Sequence, residues 1–396
     1  MSYQKKNLPS KIYLIGFILF LIGGGLSALA FSVDLKRAYM NYIVMYMFVV
    51  SVAVGSLGVV AIEYMSGAIW STPFRRVSEF LAGIIFILII LVIPILFGIQ
   101  DIFKWSHSEI VMKDEIIKSK SAYLNKDFFI IRSLACIVIW IFFYLLLFRN
   151  SKKQDTTKDV KYTLNNNKIS VIFAPFGIVT LTIAAIDFMM SLEPHWYSTI
   201  YGVYYFAGSL IAGFTSLALT SILLLENGYL DSRMSKRHYH SLGTLIFGLN
   251  IFWAYIAFSQ FLLIWYADIP EETFWLIPRL QGGWGIISLL LLFVHFIIPF
   301  LILLPSTAKT NLKTLKIMSV WLLFAHWLDL FWLVMPNYSK DSVPLNWIEL
   351  AFPVTAVGLI LIVFKFIADR NNLIPVGDPK LENGINLSLY PDLSID

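Results

Sequence analysis

The chain has 396 residues, of which 58% are hydrophobic and only 14% are charged. A water-soluble domain carries about 25% charged residues, so this composition excludes a surface solvated mainly by water. The net charge of +5 comes from Lys and Arg in short segments between apolar runs, where charge sets membrane orientation, and implies no nucleic-acid partner.

A membrane-spanning helix takes about 20 consecutive apolar residues. In chain order, such runs lie at Ile12–Val33, Tyr42–Tyr64, Glu79–Gln100, Phe128–Phe148, Ile169–Met190, Thr199–Leu224, Ser241–Ile264, Gly282–Leu304, Ile317–Met335 and Trp347–Ala368. Every backbone N–H inside lipid needs a partner within its own segment or barrel. The runs are too long for barrel strands of about ten alternating residues, so they are predicted as helices. The first run follows Lys5, Lys6 and Lys11 and contains Ala28-Leu29-Ala30, which has the form of a signal-peptidase site. Its apolar stretch is longer than a usual signal core, and a retained helix is predicted. The fold class is thus an all-α polytopic membrane protein with about ten transmembrane helices.

Outside the runs, the N-terminus, the second, fourth, sixth and eighth loops and the C-terminal tail carry 19 Lys and Arg, against 9 in the other loops. The positive-inside rule therefore puts both termini in the cytoplasm. The third loop, 101–127, balances five lysines with five acids. The polar stretches 149–168 and 371–396 cannot bury a core, so no separate soluble catalytic domain is predicted. Cys136, the only cysteine, lies in an apolar run. A disulfide framework and a cysteine-held metal or iron–sulfur cluster built by this chain alone are excluded, and no metal is assigned to it.

An ionisable side chain inside a span is costly unless paired or hydrated, so each is a candidate for function. Toward the cytoplasmic ends, Glu63, Glu79 and Glu226 either anchor at the interface, reaching headgroups or Arg75 and Arg76, or admit protons to a path. Toward the outer side, Asp187 lies one turn from the end of the fifth helix. His326 and Asp329, three residues apart, share a face of the ninth helix that Trp332 continues. The seventh helix adds Asn250, Ser259 and Gln260, and His295 sits midway along the eighth. The loop before the sixth helix carries Glu193 and His195. The loop after the seventh carries Asp268, Glu271 and Glu272 and closes on Arg279. Carboxylates, imidazoles and aromatic plates near one depth are what a quinone head needs: hydrogen bonds to two oxygens, acceptors for two protons, and apolar walls. The competing reading is an interfacial belt of acids and aromatics.

Three segments resemble one family. They are Ile186-Asp187-Phe188-Met189-Met190-Ser191-Leu192-Glu193-Pro194-His195-Trp196-Tyr197-Ser198-Thr199-Ile200-Tyr201-Gly202, the stretch from Phe258-Ser259-Gln260 to Pro270-Glu271-Glu272-Thr273, and Asp329-Leu330-Phe331-Trp332-Leu333-Val334-Met335-Pro336. Together they resemble the NrfD, or polysulfide-reductase membrane-subunit, family as used in bacterial alternative complex III, and more the smaller of its two such subunits than the larger. The resemblance runs from the second helix to the ninth. It implies two four-helix bundles, 42–198 and 199–346, with a first helix and outer loop in 1–41, a tenth helix in 347–370 and a polar cytoplasmic tail in 371–396.

The resemblance further implies a subunit of a quinol-oxidising respiratory complex in the bacterial inner membrane, not active alone. It would contribute a quinone-type pocket, a proton relay, or both. Its partners would be the larger NrfD-like subunit, an iron–sulfur subunit and c-type cytochrome subunits, with a terminal oxidase and lipids around them. The haem c and iron–sulfur clusters would sit on those partners, because this chain carries no Cys-x-x-Cys-His. Three other readings stay open. One is a b-type haem held by His295 and His326. Another is a secondary transporter with helices broken at Pro94, Pro175, Pro299 and Pro353. The last is a scaffold whose Gly23-Gly24-Gly25 and Gly55/Gly58 patches only pack helices.

Overall fold

The computed structural model describes residues 7–389. Ten of its helices are long and apolar enough to cross a membrane: α1 Lys11–Val33, α2 Leu35–Ser66, α3 Thr72–Phe97, α4 Lys126–Thr157, α5 Lys161–Leu192, α6 Tyr201–Glu226, α7 Lys236–Ala267, α8 Gly282–Leu303, α9 Leu312–Asn337 and α10 Trp347–Ala368. No strand forms among the described residues. The chain is a multi-pass, all-α membrane protein. Large apolar side chains are exposed around its perimeter, among them Leu14, Ile90, Val138 and Leu263. In water they would be a liability; in lipid they face their solvent.

Polar caps set the helix ends. Asp34 stands extended between α1 and α2 and accepts a hydrogen bond from the Arg37 amide at 3.0 Å. Gly67, at φ +63°, turns the chain out of α2 in a left-handed conformation that costs a glycine little. Asn125 and Asn311 cap α4 and α9 through their side chains, and Asn346 with Glu349 forms a reciprocal capping box on α10.

The fourth and fifth helices are longer than their apolar runs. Most of 149–168, read from its composition as a loop, is helical, and only three residues separate Thr157 from Lys161. Polar side chains do not end a helix once it leaves lipid, and here they link the two extensions. Asn150 donates to Asn166 at 2.9 Å, and Gln154 to Thr163 at 2.7 Å. Residues 371–385 are also polar by composition, yet Leu381 and Ile385 are buried. The Lys380 ammonium donates to the Gly67 carbonyl at 2.8 Å.

α2 is the central helix, buried along nearly its whole apolar length. It packs against α3, α5, α6, α9 and α10; α4 packs against α3 and α5. On the other side α6 contacts α7 and α9, and α8 contacts α7 and α9, while α1 runs along α10. Small residues make the closest crossings. A Cβ on Gly55 would lie 2.0 Å from the Ser209 carbonyl oxygen, and one on Gly213 would lie 2.5 Å from the Gly55 carbonyl carbon. A Cβ on Gly23 would meet the Thr355 amide at 2.6 Å.

Neither backbone at the α2–α6 crossing can yield as a flexible side chain would. Gly55→Leu is therefore expected to separate α2 from α6 and cost about 1–3 kcal/mol or more. This would be read as a lowered thermal midpoint of the detergent-solubilised protein. The control Gly25→Leu, at a glycine with nothing within 4 Å, should leave the midpoint near wild type.

Candidate functional site

The polar groups buried in the spans fall into separate clusters. Near the α4–α5 connection, Arg75 pairs with Glu63 at 3.3 Å, with Glu79 at 3.7 Å and with Asp378 from the C-terminal segment. Arg76 pairs with Glu79 at 3.1 Å and Asp155 at 2.6 Å. Glu63 and Glu79 thus reach Arg75 and Arg76, in protein instead of headgroups. Glu226 joins neither; it forms an exposed pair with Lys316 at 2.7 Å.

Asp187 accepts two hydrogen bonds from Arg132, from Nε at 2.8 Å and Nη2 at 2.9 Å. The guanidinium also covers the Tyr123 ring at 3.7 Å. The pair ties α5 to α4 and leaves Asp187 apart from Asp329 of α9. Glu349 on α10 likewise takes a two-pronged contact from Arg37, both distances 2.7 Å, plus Asn41 at 3.1 Å. Sequence reading missed these partnerships. The signal for the first was present, a single Arg and a single Asp inside neighbouring spans.

His326 and Asp329 do converge, and His295 joins them. One ligand-capable atom from each of the three lies within 4.8 Å of the others, and all three residues are buried. Asp329 accepts from the Tyr204 hydroxyl on α6 and from the Trp253 indole on α7, the latter at 3.3 Å. The His295 ring stacks on Trp253 with centroids 3.6 Å apart. Both ring nitrogens of His295 and of His326, and both amide atoms of Asn250, have no hydrogen-bond partner within the protein.

Local sequence explains this placement. Gly208 makes room for His326, since a Cβ there would lie 2.7 Å from its Cε1. Pro299 has no N–H to offer the His295 carbonyl one turn back. The helix widens into a π segment over Leu292–Ile297, carrying His295 inward. Such segments often mark functional positions.

Beside this cluster lies an apolar cavity of about 540 Å³ between α7, α8 and α9. Tyr204 and Trp253 form its inner wall; Trp275 and Trp332 stand on another side, and the buried Gln260 contributes a carbonyl oxygen with no partner. Phe258 and Leu289 line it too and are exposed on the apolar perimeter, so the cavity opens sideways toward lipid. Trp332 donates to Ser288 at 2.7 Å.

The α5–α6 and α7–α8 connections cover one end of this cavity. Trp196 stacks on Trp275 at 4.2 Å, and Arg279 lies over Trp275 at 3.8 Å, donating to the Trp275 and Leu333 carbonyls at 2.7 and 2.9 Å. Among the described residues no carboxylate pairs with Arg279. Burial pushes its guanidinium down to about 9, still charged at neutral pH, with Tyr201 and Glu193 opposing the shift. His195 pairs with Asp114 at 2.6 Å in the half-exposed loop layer instead of reaching the cavity. The amide of Ile117 and the same His195 hold the Asp114 carboxyl below its usual range. Asp268 and Glu271 are exposed, and Glu272 is half-buried.

Comparison with family models and with curated proteins yields no match for this chain.

Breaking a buried ion pair by removing one partner costs about 3–5 kcal/mol, whereas an apolar replacement of both is often close to neutral. Arg132→Met should therefore lower the thermal midpoint strongly, and Arg132→Met with Asp187→Leu should recover most of the loss. Equal losses in the single and double variants would show that Asp187 has a role beyond this pair.

Proposed function

We propose that the chain is a membrane subunit of a quinol-oxidising respiratory complex. It would receive a quinone-type ring in the α7–α8 cavity and pass protons through Tyr204, Asp329, His326 and His295. One observation carries the reading: two of the side chains that wall the cavity, Tyr204 and Trp253, both donate to the buried Asp329. A group bound there would be one side chain away from a carboxylate shielded from water.

The residues present fit such a ring. Aromatic walls suit a flat apolar head, the unpartnered Gln260 side-chain carbonyl supplies a polar contact, and the lateral opening admits a ligand dissolved in lipid. A bound quinol would supply two electrons and two protons. Asp329 is placed to hold a proton, with Tyr204 as the donor and acceptor that links it to the cavity. His326 and His295 lie next to Asp329, and their free nitrogens can each take or give a proton. A metal or haem iron is a poorer fit, because ligating imidazoles almost always donate their other ring N–H to a neighbour, and here those nitrogens have none.

The resemblance of the segments containing Asp187, Gln260 and Asp329 to the polysulfide-reductase type of membrane subunit supports the same reading. On it, α2–α5 and α6–α9 are the two four-helix bundles, with α1 and α10 as the extra pair, and both termini are cytoplasmic in the bacterial inner membrane. Electrons would leave through iron–sulfur clusters and c-type haems on partner subunits. Asp187, paired with Arg132, would then hold α4 to α5 instead of carrying protons.

Two measurements test this. Four tryptophans surround the cavity or its cover, so a short-chain naphthoquinone should quench the fluorescence of the purified chain saturably. Ala257→Phe, which fills the cavity, should weaken that binding by about tenfold, roughly 1.4 kcal/mol. Unchanged quenching in Ala257→Phe would remove the quinone pocket. In the assembled complex, Asp329→Asn should lower quinol oxidation or its proton yield by about a hundredfold, within the usual range for a lost proton-transfer group. Wild-type values of both would sink the relay.

A further inference from the structure

A second groove, independent of the site above, lies where α3, α4 and α10 meet, at the end of the spans that carries the α4–α5 connection. Its volume is about 1000 Å³. Its floor is closed by contact around Gly83, where a Cβ would lie 2.3 Å from Ile367 Cδ1. Its long walls are apolar, and Phe86, Leu145 and Phe366 on them are also exposed along the perimeter. The groove is therefore open along its length to whatever apolar solvent surrounds the spans.

Its end is cationic. Arg149, Lys152, Lys153 and Arg370 all line it, and all are exposed. No carboxylate among the described residues forms an ion pair with any of the four. The acids nearby in sequence are engaged elsewhere: Asp155 with Arg76 at 2.6 Å, and Asp369 with Lys365 at 2.7 Å. Arg370 spends one N–H on the Phe366 carbonyl at 2.9 Å and lays its guanidinium on the Phe366 ring at 3.6 Å, which holds it at the groove mouth with its remaining donors free. Four uncompensated cations gathered within one mouth repel one another unless an anion joins them.

We propose that this groove binds an anionic phospholipid, with its phosphate among Arg149, Lys152, Lys153 and Arg370 and its acyl chains along Phe86, Leu145 and Phe366. The charge selects the headgroup, because a zwitterionic lipid brings its own cation into a mouth that already holds four. The apolar walls select a lipid over a free anion. Basic pockets between transmembrane helices are suited to this pairing. The bound lipid would bridge α4 to α10 and reduce the repulsion among the four cations of the mouth.

The test is native mass spectrometry of the full-length protein in nonionic detergent, titrated with dioleoyl phosphatidylglycerol or dioleoyl phosphatidylcholine. Wild type should retain the anionic lipid about tenfold better or more, as about 1 kcal/mol per basic residue near a headgroup allows. Replacing all four cations with Gln (Arg149→Gln, Lys152→Gln, Lys153→Gln, Arg370→Gln) should abolish that preference. Leu145→Trp, which obstructs the groove while leaving every charge, should reduce retention of the anionic lipid. Millimolar inorganic phosphate should not displace it. Equal retention of the two lipids by wild type, a preference that survives the fourfold substitution, or displacement by phosphate alone would each overturn the proposal.

Discussion

Lipid gives helices no hydrophobic reason to associate, so what holds them is close packing and hydrogen bonds between them. In this chain the closest packing is the backbone contact of α2 and α6 at Gly55, Ser209 and Gly213. Hydroxyls reinforce it: Tyr205 donates to the Met47 carbonyl at 2.7 Å, and Ser209 to Ser51 at 3.2 Å. With one side of α6 fixed against α2, its next face has little freedom. That face presents Tyr204 to Asp329 and, at Gly208, the gap that His326 fills. The geometry of the acid therefore depends on glycines that carry no chemistry.

The other wall of the site is built more loosely. α7 and α8 are much less buried along their apolar length than α2 and α6. The cavity lies on that side, where fewer neighbours compete for the space. The π segment adds to this by widening α8 next to Trp253, and His295 gains a stacking partner while losing any polar one. A closely packed half thus places the carboxylate, and a less buried half contains the cavity.

How much of this could be read in advance follows from the physics of each feature. Span number and approximate position were legible because hydropathy depends only on local composition. The His326–Asp329 face was legible for the same reason, since three residues on one helix fix their own relation. Which helices meet was not, because apolar surfaces do not specify partners. Asp187 and Asp329 lie near one depth by residue count, yet Arg132 holds the first against α4 and Tyr204 and Trp253 bind the second. The helical course of 149–157 was hidden because composition reports solvent, and a helix continues through water when its side chains allow. The cavity itself depends on Gly285, Ser288 and Leu292 of α8 facing α7, a rotation that no one-dimensional pattern states.

Satisfaction of buried polar groups divides the molecule by role. Arg132 with Asp187 and Arg37 with Glu349 each cancel a charge with well-formed contacts, the first joining α4 to α5 and the second joining α2 to the distant α10. The cluster of Arg75, Arg76, Glu63, Glu79, Asp155 and Asp378 does the same with more members and includes the C-terminal segment. Such groups are expensive to break, although Arg75 Nε, Arg76 Nε, Glu79 Oε1 and Asp155 Oδ1 keep no hydrogen-bond partner. On α7, α8 and α9, His295, His326, Asn250 and the Gln260 carbonyl are also buried with hydrogen-bonding capacity unspent. A buried polar group left without a partner costs roughly 1–3 kcal/mol, and several together on three adjacent helices are hard to explain as packing. They make sense if water, a proton or a ligand's polar atoms complete them. What sets this group apart is that both imidazoles and the Asn250 amide are wholly without hydrogen-bond partners, whereas every charged residue of the other clusters keeps an ion pair.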